Sequence, residues 1–244
     1  DTIVETRIAK VMVTENSRRK RPMTPPMKSS GMKTATSEIE ILKRRPLANP
    51  VSGWERAVDH ALADPLVCDF VTPSPLIAAN AAISSYAAPS FPAGRPLLEC
   101  VNDLNHRIYT DFNYRPGWTT VSTPLAEVIE SRRGVCQDFA HLAIASLRSM
   151  GLPARYISGY LRTHPPAGKP RLVGVDASHA WVSCFVPGFG WVDIDPTNDC
   201  FTSLDHITVA IGRDFSDVSP VRGIITGGGK HSVGVGVDVE PLDE

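Results

Sequence analysis

The segment from Gly134 to Pro153 constrains this chain more than any other. After Gly134-Val135-Cys136-Gln137-Asp138, the residues Phe139, Leu142, Ala143, Leu147 and Met150 recur at helical spacing. They predict one helix from about Cys136 to Met150 with a single apolar stripe. Gly151 stands where a C-terminal cap glycine belongs, and Pro153 blocks continuation. The period then drops to two. Residues 154–161, 176–185 and 190–195 alternate as strands, Pro196 stops the third, and 206–211 and 232–239 fit further strands, with Gly227-Gly228-Gly229 as a loop. A striped helix next to strands with one apolar face each is solved by packing the two together.

Upstream the pattern is helical. Trp54, Val58, Ala61 and Leu62 share a face, and Ser74-Pro75-Leu76 predicts a helix capped by Ser74 that continues through Ile77, Ala81 and Ile83. Residues 97–109 carry apolar positions at i, i+3, i+4 and i+7. After a turn-bearing loop at 111–117, Thr123-Pro124 opens a short helix to Glu130, with Thr123 as its cap and Pro124 at its first position. Helices first and an antiparallel sheet afterwards make the class α+β. Residues 1–50 read as an appendage or linker: the basic run Arg18-Arg19-Lys20-Arg21 and Pro25-Pro26 are punctuation, and Ser37–Leu42 is one short alternating strand.

Composition narrows the function classes. A chain of 244 residues can bury a core without disulfides or metal. A formal net charge of −1 implies no global attraction to nucleic acid or membrane, and neither is expected as a partner. No apolar run reaches membrane-spanning length, and residues 1–5 lack a signal-peptide pattern. The five cysteines have no zinc-finger spacing, and their odd, sparse count suits a reducing, cytoplasmic setting. No metal and no cofactor are expected. Oligomeric state is not readable.

Of these cysteines only Cys136 has surroundings that suggest chemistry. A helix N-terminus offers unpaired N–H groups and the positive end of the macrodipole, which favour a thiolate and an oxyanion placed there. A thiolate needs a base and leaving-group acid, and His179, in Ser178-His179-Ala180-Trp181, is the strand histidine suited to it. Trp181 falls on the same strand face and walls the ring. Asp193 and Asp195, two apart on the next strand, are both candidates to orient the imidazole. A two-residue turn between the strands would put His179 and Asp195 on opposite faces. The arrangement therefore needs an odd-length loop or a bulge, as in direct pairing of 179 with 195 across a loop from Cys184 to Gly190. His141, five residues along the helix, points away from Cys136, and a metal site of Cys136, Asp138 and His141 is disfavoured because helical geometry spreads them. Tyr114, Trp118 and Tyr160, with Trp181, are candidates to contact substrate.

Four ordered motifs resemble the bacterial transglutaminase-like superfamily: Gly134-Val135-Cys136-Gln137-Asp138-Phe139-Ala140-His141, the run from Gly151 to Tyr160, His179-Ala180-Trp181, and Gly190-Trp191-Val192-Asp193-Ile194-Asp195-Pro196-Thr197-Asn198. The resemblance implies a papain-like fold and a Cys-His-Asp triad of Cys136, His179 and Asp195, the aspartate that precedes Pro-Thr. It implies a catalytic domain over 51–244, with 1–50 as an appendage or the remnant of the β-rich domain that members usually carry. Animal transglutaminases have an aromatic residue where this chain has Gln137, and their calcium-binding regions have no counterpart here, so calcium is not implied. The expected activity is thiol-dependent hydrolysis of a peptide or protein amide, because water is the default acceptor. Glutamine transamidation or deamidation is the alternative, and a catalytically silent binding module a third reading.

Overall fold

The computed structural model describes residues 53–63, 65–164, 177–219 and 236–239. The expected strand at Ser37–Leu42, the basic run and the glycine loop at 227–229 lie outside these residues. Most of the strand expected at 232–239 does too, and the four described residues of that stretch form no strand.

Helices α1 (Glu55–Ala63), α2 (Ala81–Ala87) and α3 (Leu97–Asp111) come first. A two-residue strand β1 (Asn113–Tyr114), helix α4 (Leu125–Ser131) and β2 (Arg133–Gly134) lead to the central helix α5 (Cys136–Ser149). Strands β3 (Ala154–Leu161), β4 (Ala177–Val186), β5 (Gly190–Asp195), β6 (Cys200–Phe201) and β7 (His206–Gly212) follow, and a short α6 (Phe215–Val218) ends the series. The five strands form one antiparallel sheet in the order β6-β5-β4-β3-β7. The α+β class is as the sequence implies.

Helix α5 is sandwiched between the sheet and the helices α2, α3 and α4. Its burial extends around the whole helix from Asp138 to Arg148, well beyond the expected stripe. Among the extra buried positions Ile144 adds apolar surface, and most of the others are small or partnered. Ala140 and Ala145 admit close neighbours, His141 accepts the Phe215 N–H at 3.1 Å, and Arg148 donates to the carbonyls of Phe70, Ala154 and Arg213 and to Ser74 Oγ. Hydrogen bonding at His141 and Arg148 is what makes their burial tolerable. Gly151, at φ 77°, closes the helix in the left-handed region, as its cap position requires.

Two helix starts differ from the sequence reading. Ser74-Pro75 forms a bridged turn, because Leu76 N–H is taken by Asp214 and Ser74 Oγ by Arg148. The helix begins instead at Ala81, where Asn80 Oδ1 accepts the Ala82 N–H at 2.8 Å. At α4, Pro124 is extended and occupies the cap position itself, while Thr123 Oγ1 accepts the Thr120 N–H. The short strand β6 had no sequence signal at two residues.

The β4–β5 hairpin decides the geometry of the site. Val182 pairs with Ile194 and Val186 with Gly190, so the turn is the three residues 187–189. Its length is odd, but β4 runs three residues and β5 one residue further toward the turn than the expected loop from Cys184 to Gly190 allows, and the register is shifted by two from the expected pairing of 179 with 195. Position 195 is level with 181, and His179, Trp181, Asp193 and Asp195 share one face of the sheet. The alternate residues Ala180, Val182, Cys184, Val192 and Ile194 belong to the core that includes α5.

Candidate active site

Cys136 is the first residue of α5, where Val135 is the N-cap. The turn that presents it is held by Asp138, whose Oδ2 accepts the Val135 N–H at 2.8 Å and Thr119 Oγ1 at 2.6 Å. This satisfies one helix-end donor and ties the 115–123 loop to the same turn. A second tie runs from Gln137 Nε2 to the Val121 carbonyl at 3.1 Å. The position that carries an aromatic in animal transglutaminases is here a tether for that loop.

The Cys136 thiol lies near enough to the His179 imidazole to act on its proton affinity. His179 Nε2 meets Asp195 Oδ2 at 2.7 Å, which leaves Nδ1 as the ring nitrogen for the sulfur. Burial draws the imidazolium down, but hydrogen bonds and charge from Asp195 and Cys136 together outweigh it and raise His179 to about 9. Asp195 is fully buried, at 0% exposure. Desolvation pushes its carboxyl up, yet donors from His179, His206 and Asn198 and the charge of His179 hold it well below the usual carboxylate range. Oδ2 receives the three donors at 2.7, 3.1 and 2.6 Å, and Oδ1 receives the Thr197 N–H at 2.9 Å.

Asp193 has a different partner. The Trp181 indole N–H donates to its Oδ2 at 3.2 Å, and burial raises its carboxyl. Trp181 lies beside His179 with ring centroids 6.1 Å apart, as a wall for the imidazole. It is 0% exposed, however, so its expected role in touching substrate is corrected: it supports the ring from behind. Tyr114 and Trp118 are each 51% exposed. The Tyr114 hydroxyl is raised by burial and then by the charge of Cys136, which places it near the sulfur, and Arg133 covers the Trp118 ring at 4.5 Å. Tyr160 is half-buried on β3, opposite Ser178.

Residues 86–196 match the model of the transglutaminase-like superfamily core. This segment is a transglutaminase-like core. An uncharacterized protein of Mycobacterium tuberculosis is 49% identical over 195 residues, covering 78% of this chain and 62% of that protein. The chain thus spans less than two thirds of that relative's length. A protein-glutamine gamma-glutamyltransferase of Pseudomonas aeruginosa is 34% identical over 94 residues, 35% of this chain and 14% of that protein. Among solved structures, a candidate cysteine protease from Cytophaga hutchinsonii superposes with a TM-score of 0.53 at 28% identity, over 64% of this chain and 50% of that one. The fold is papain-like.

Two polar partners of Asp195, both beyond the matched segment, were not singled out from sequence. Asn198, exposed at the rim, donates to Asp195 and lies 3.4 Å from His179 Nε2. It follows the Asp-Pro-Thr turn and was visible only as part of a motif. His206 opens β7, three strands from β5, and no local pattern links it to Asp195. Among the described residues, His179, Asp195 and His206 are the group with metal-ligand spacing. Their closeness is that of donors around one carboxylate oxygen. His206 Nδ1 accepts the Ser203 N–H at 3.1 Å, so its Nε2 carries the proton toward Asp195 and has no lone pair there for a metal. The Cys136, Asp138 and His141 set does not converge either, since Asp138 turns back to Val135 and His141 to Phe215.

Proposed function

We propose that this chain is a thiol-dependent acyl-transfer enzyme that cleaves peptide or glutamine-type amides through Cys136, His179 and Asp195. The observation that carries the reading is the continuous chain of contacts from a thiol at the start of a buried helix, through His179, to a buried carboxylate with four donors. An imidazolium beside the sulfur is the setting that favours a thiolate. The sulfur attacks the amide carbonyl carbon, and the oxyanion is received by first-turn N–H groups of α5. His179 passes its proton to the leaving amine as the C–N bond breaks, leaving a thioester. Water then attacks, His179 takes its proton, and the acid departs with the thiolate restored. Tyr114, Trp118 and Tyr160 stay the candidates to contact the acyl group of the substrate, and the two exposed rings, Tyr114 and Trp118, suit an apolar or aromatic peptide segment.

Transfer to an amine is the second reading, favoured by the similarity to a gamma-glutamyltransferase over 94 residues. Both use the same thioester and differ in what attacks it. Incubation with a glutamine-containing protein and a labelled primary amine separates them. Hydrolysis predicts cleavage or ammonia release without label, and label in the protein would establish transfer instead. Loss of both products in Cys136→Ala is expected, and retention of either would overturn the acyl-transfer reading.

A further inference from the structure

The strand order places β4 and β3 between β5 and β7, yet side chains of the outer pair meet. With neighbouring strands about 5 Å apart, a flat sheet would keep them out of reach, so the sheet curls around Trp181. His206 stands edge-on to that indole, with ring centroids 5.3 Å apart. It is buried, and both its nitrogens are engaged, Nδ1 by the Ser203 N–H and Nε2 by Asp195 Oδ2. A ring held at both ends and packed on a face has one orientation and one neutral tautomer.

Resting on the acyl-transfer reading above, we propose that His206 is a positioning residue for the reaction, acting through Asp195 to aim its Oδ2 at His179. Three donors converge on that oxygen, and they approach from separate elements: His179 from β4, Asn198 from the loop after β5, and His206 from β7. Asn198 is exposed, so His206 is the second donor whose place is fixed by burial. Without it the carboxylate can turn about its Cα–Cβ and Cβ–Cγ bonds toward the rim, and the bond to His179 lengthens. Among the described residues, the ionisable groups facing His206 are Asp195 and Asp193 on β5 and His179 on β4, with Asp205 adjacent on its own turn.

The test reads Cys136 directly and needs no substrate. Alkylation of Cys136 by iodoacetamide is followed against pH in the wild type, His206→Ala and His206→Gln, together with the His179 ring shifts by NMR. The wild type is expected to show Cys136 reacting faster than the other cysteines at neutral pH. If it does not, the acyl-transfer reading itself fails. Given that reactivity, His206→Ala is expected to lower the His179 midpoint by at least half a pH unit and slow alkylation at pH 7 several-fold. Gln, which can donate from the same place, restores most of both. An unchanged midpoint in His206→Ala overturns the proposal, and so does a Gln variant as impaired as Ala, since that marks packing alone. Where Ala does not fold, a wild-type nitrogen spectrum with the His206 proton on Nδ1 overturns it equally.

Discussion

Trp181 donates its indole N–H to Asp193 Oδ2 at 3.2 Å, and that bond separates two aspartates of one strand face into different surroundings. Asp193 answers an indole, while Asp195 answers two imidazoles and Asn198. Replacing each with asparagine therefore has unequal consequences. Asp195→Asn puts a neutral amide against His179 and is expected to lower the acylation rate by about 10³- to 10⁴-fold, as removal of an orienting carboxylate does in comparable triads. Asp193→Asn keeps a carbonyl for the indole and is expected to stay within about tenfold of wild type. Pre-steady-state acylation, with circular dichroism to confirm folding, measures both; equal losses would remove the distinction.

His179 is raised to about 9 by partners that include Cys136. Activity is therefore expected to fall above a midpoint near pH 9, as the proton needed by the leaving amine is lost, and the midpoint belongs to the coupled thiol–imidazole pair. Cys136→Ala removes one partner and is expected to shift the His179 midpoint downward in an NMR titration, toward the ordinary value of about 6.5. A midpoint that does not move would show that the thiol and the ring are not paired.

The same groups set the pH range of stability. His179 has a folded value above its unfolded one, so its contribution is complete below about pH 6.5 and is lost as pH rises through about 9. His141 runs the other way. Burial lowers it to about 4, its Nε2 must stay unprotonated to accept the Phe215 N–H, and stability falls as pH drops from about 6.5 toward 4. Asp195, held low, adds a further loss below about pH 4. Thermal unfolding against pH is expected to peak near neutrality, with the acid side flattened in His141→Leu.

Asp138 holds two donors with one oxygen, the Val135 N–H and the Thr119 hydroxyl. Asp138→Ala is expected to cost about 1–2 kcal/mol through the lost cap, a loss readable by denaturant unfolding. It also frees the loop that carries Trp118, so faster proteolysis between Arg115 and Thr123 is expected. Thr119→Val removes one of the two bonds and separates these effects: the loop loosens while the cap remains.

What was legible in the sequence followed from local rules. The period of α5, the glycine and proline after it, and the alternation of β3, β4 and β5 each depend on a few neighbouring residues, and the structure has these elements nearly as read. Ser74-Pro75 misled because its helix signal is local while Asp214 and Arg148, which override it, lie far along the chain. The parity that puts His179 and Asp195 on one face could be stated as a requirement, but the register depends on where the turn falls, at 187–189. His206 was beyond reach for the same reason in stronger form: its role depends on how four strands curl, and nothing around it in sequence encodes that.

Gly159 gives that curl a direct test. It pairs with His179 on β4 and with Thr208 on β7, and a Cβ there would collide with the Ile207 carbonyl and the far edge of the Trp181 ring. The backbone carbonyl cannot rotate aside as a side chain would, and the indole is confined by its bond to Asp193. Gly159→Ala is therefore an overpacking substitution, expected to cost about 1–3 kcal/mol in unfolding free energy. Because Trp181 packs against both His179 and His206, the displaced indole is also expected to disturb the imidazoles and slow alkylation of Cys136. Trp181→Phe in the same background shortens the ring that meets the new methyl and is expected to recover part of the stability. Full activity and stability in Gly159→Ala would show that the sheet can open at this point without cost.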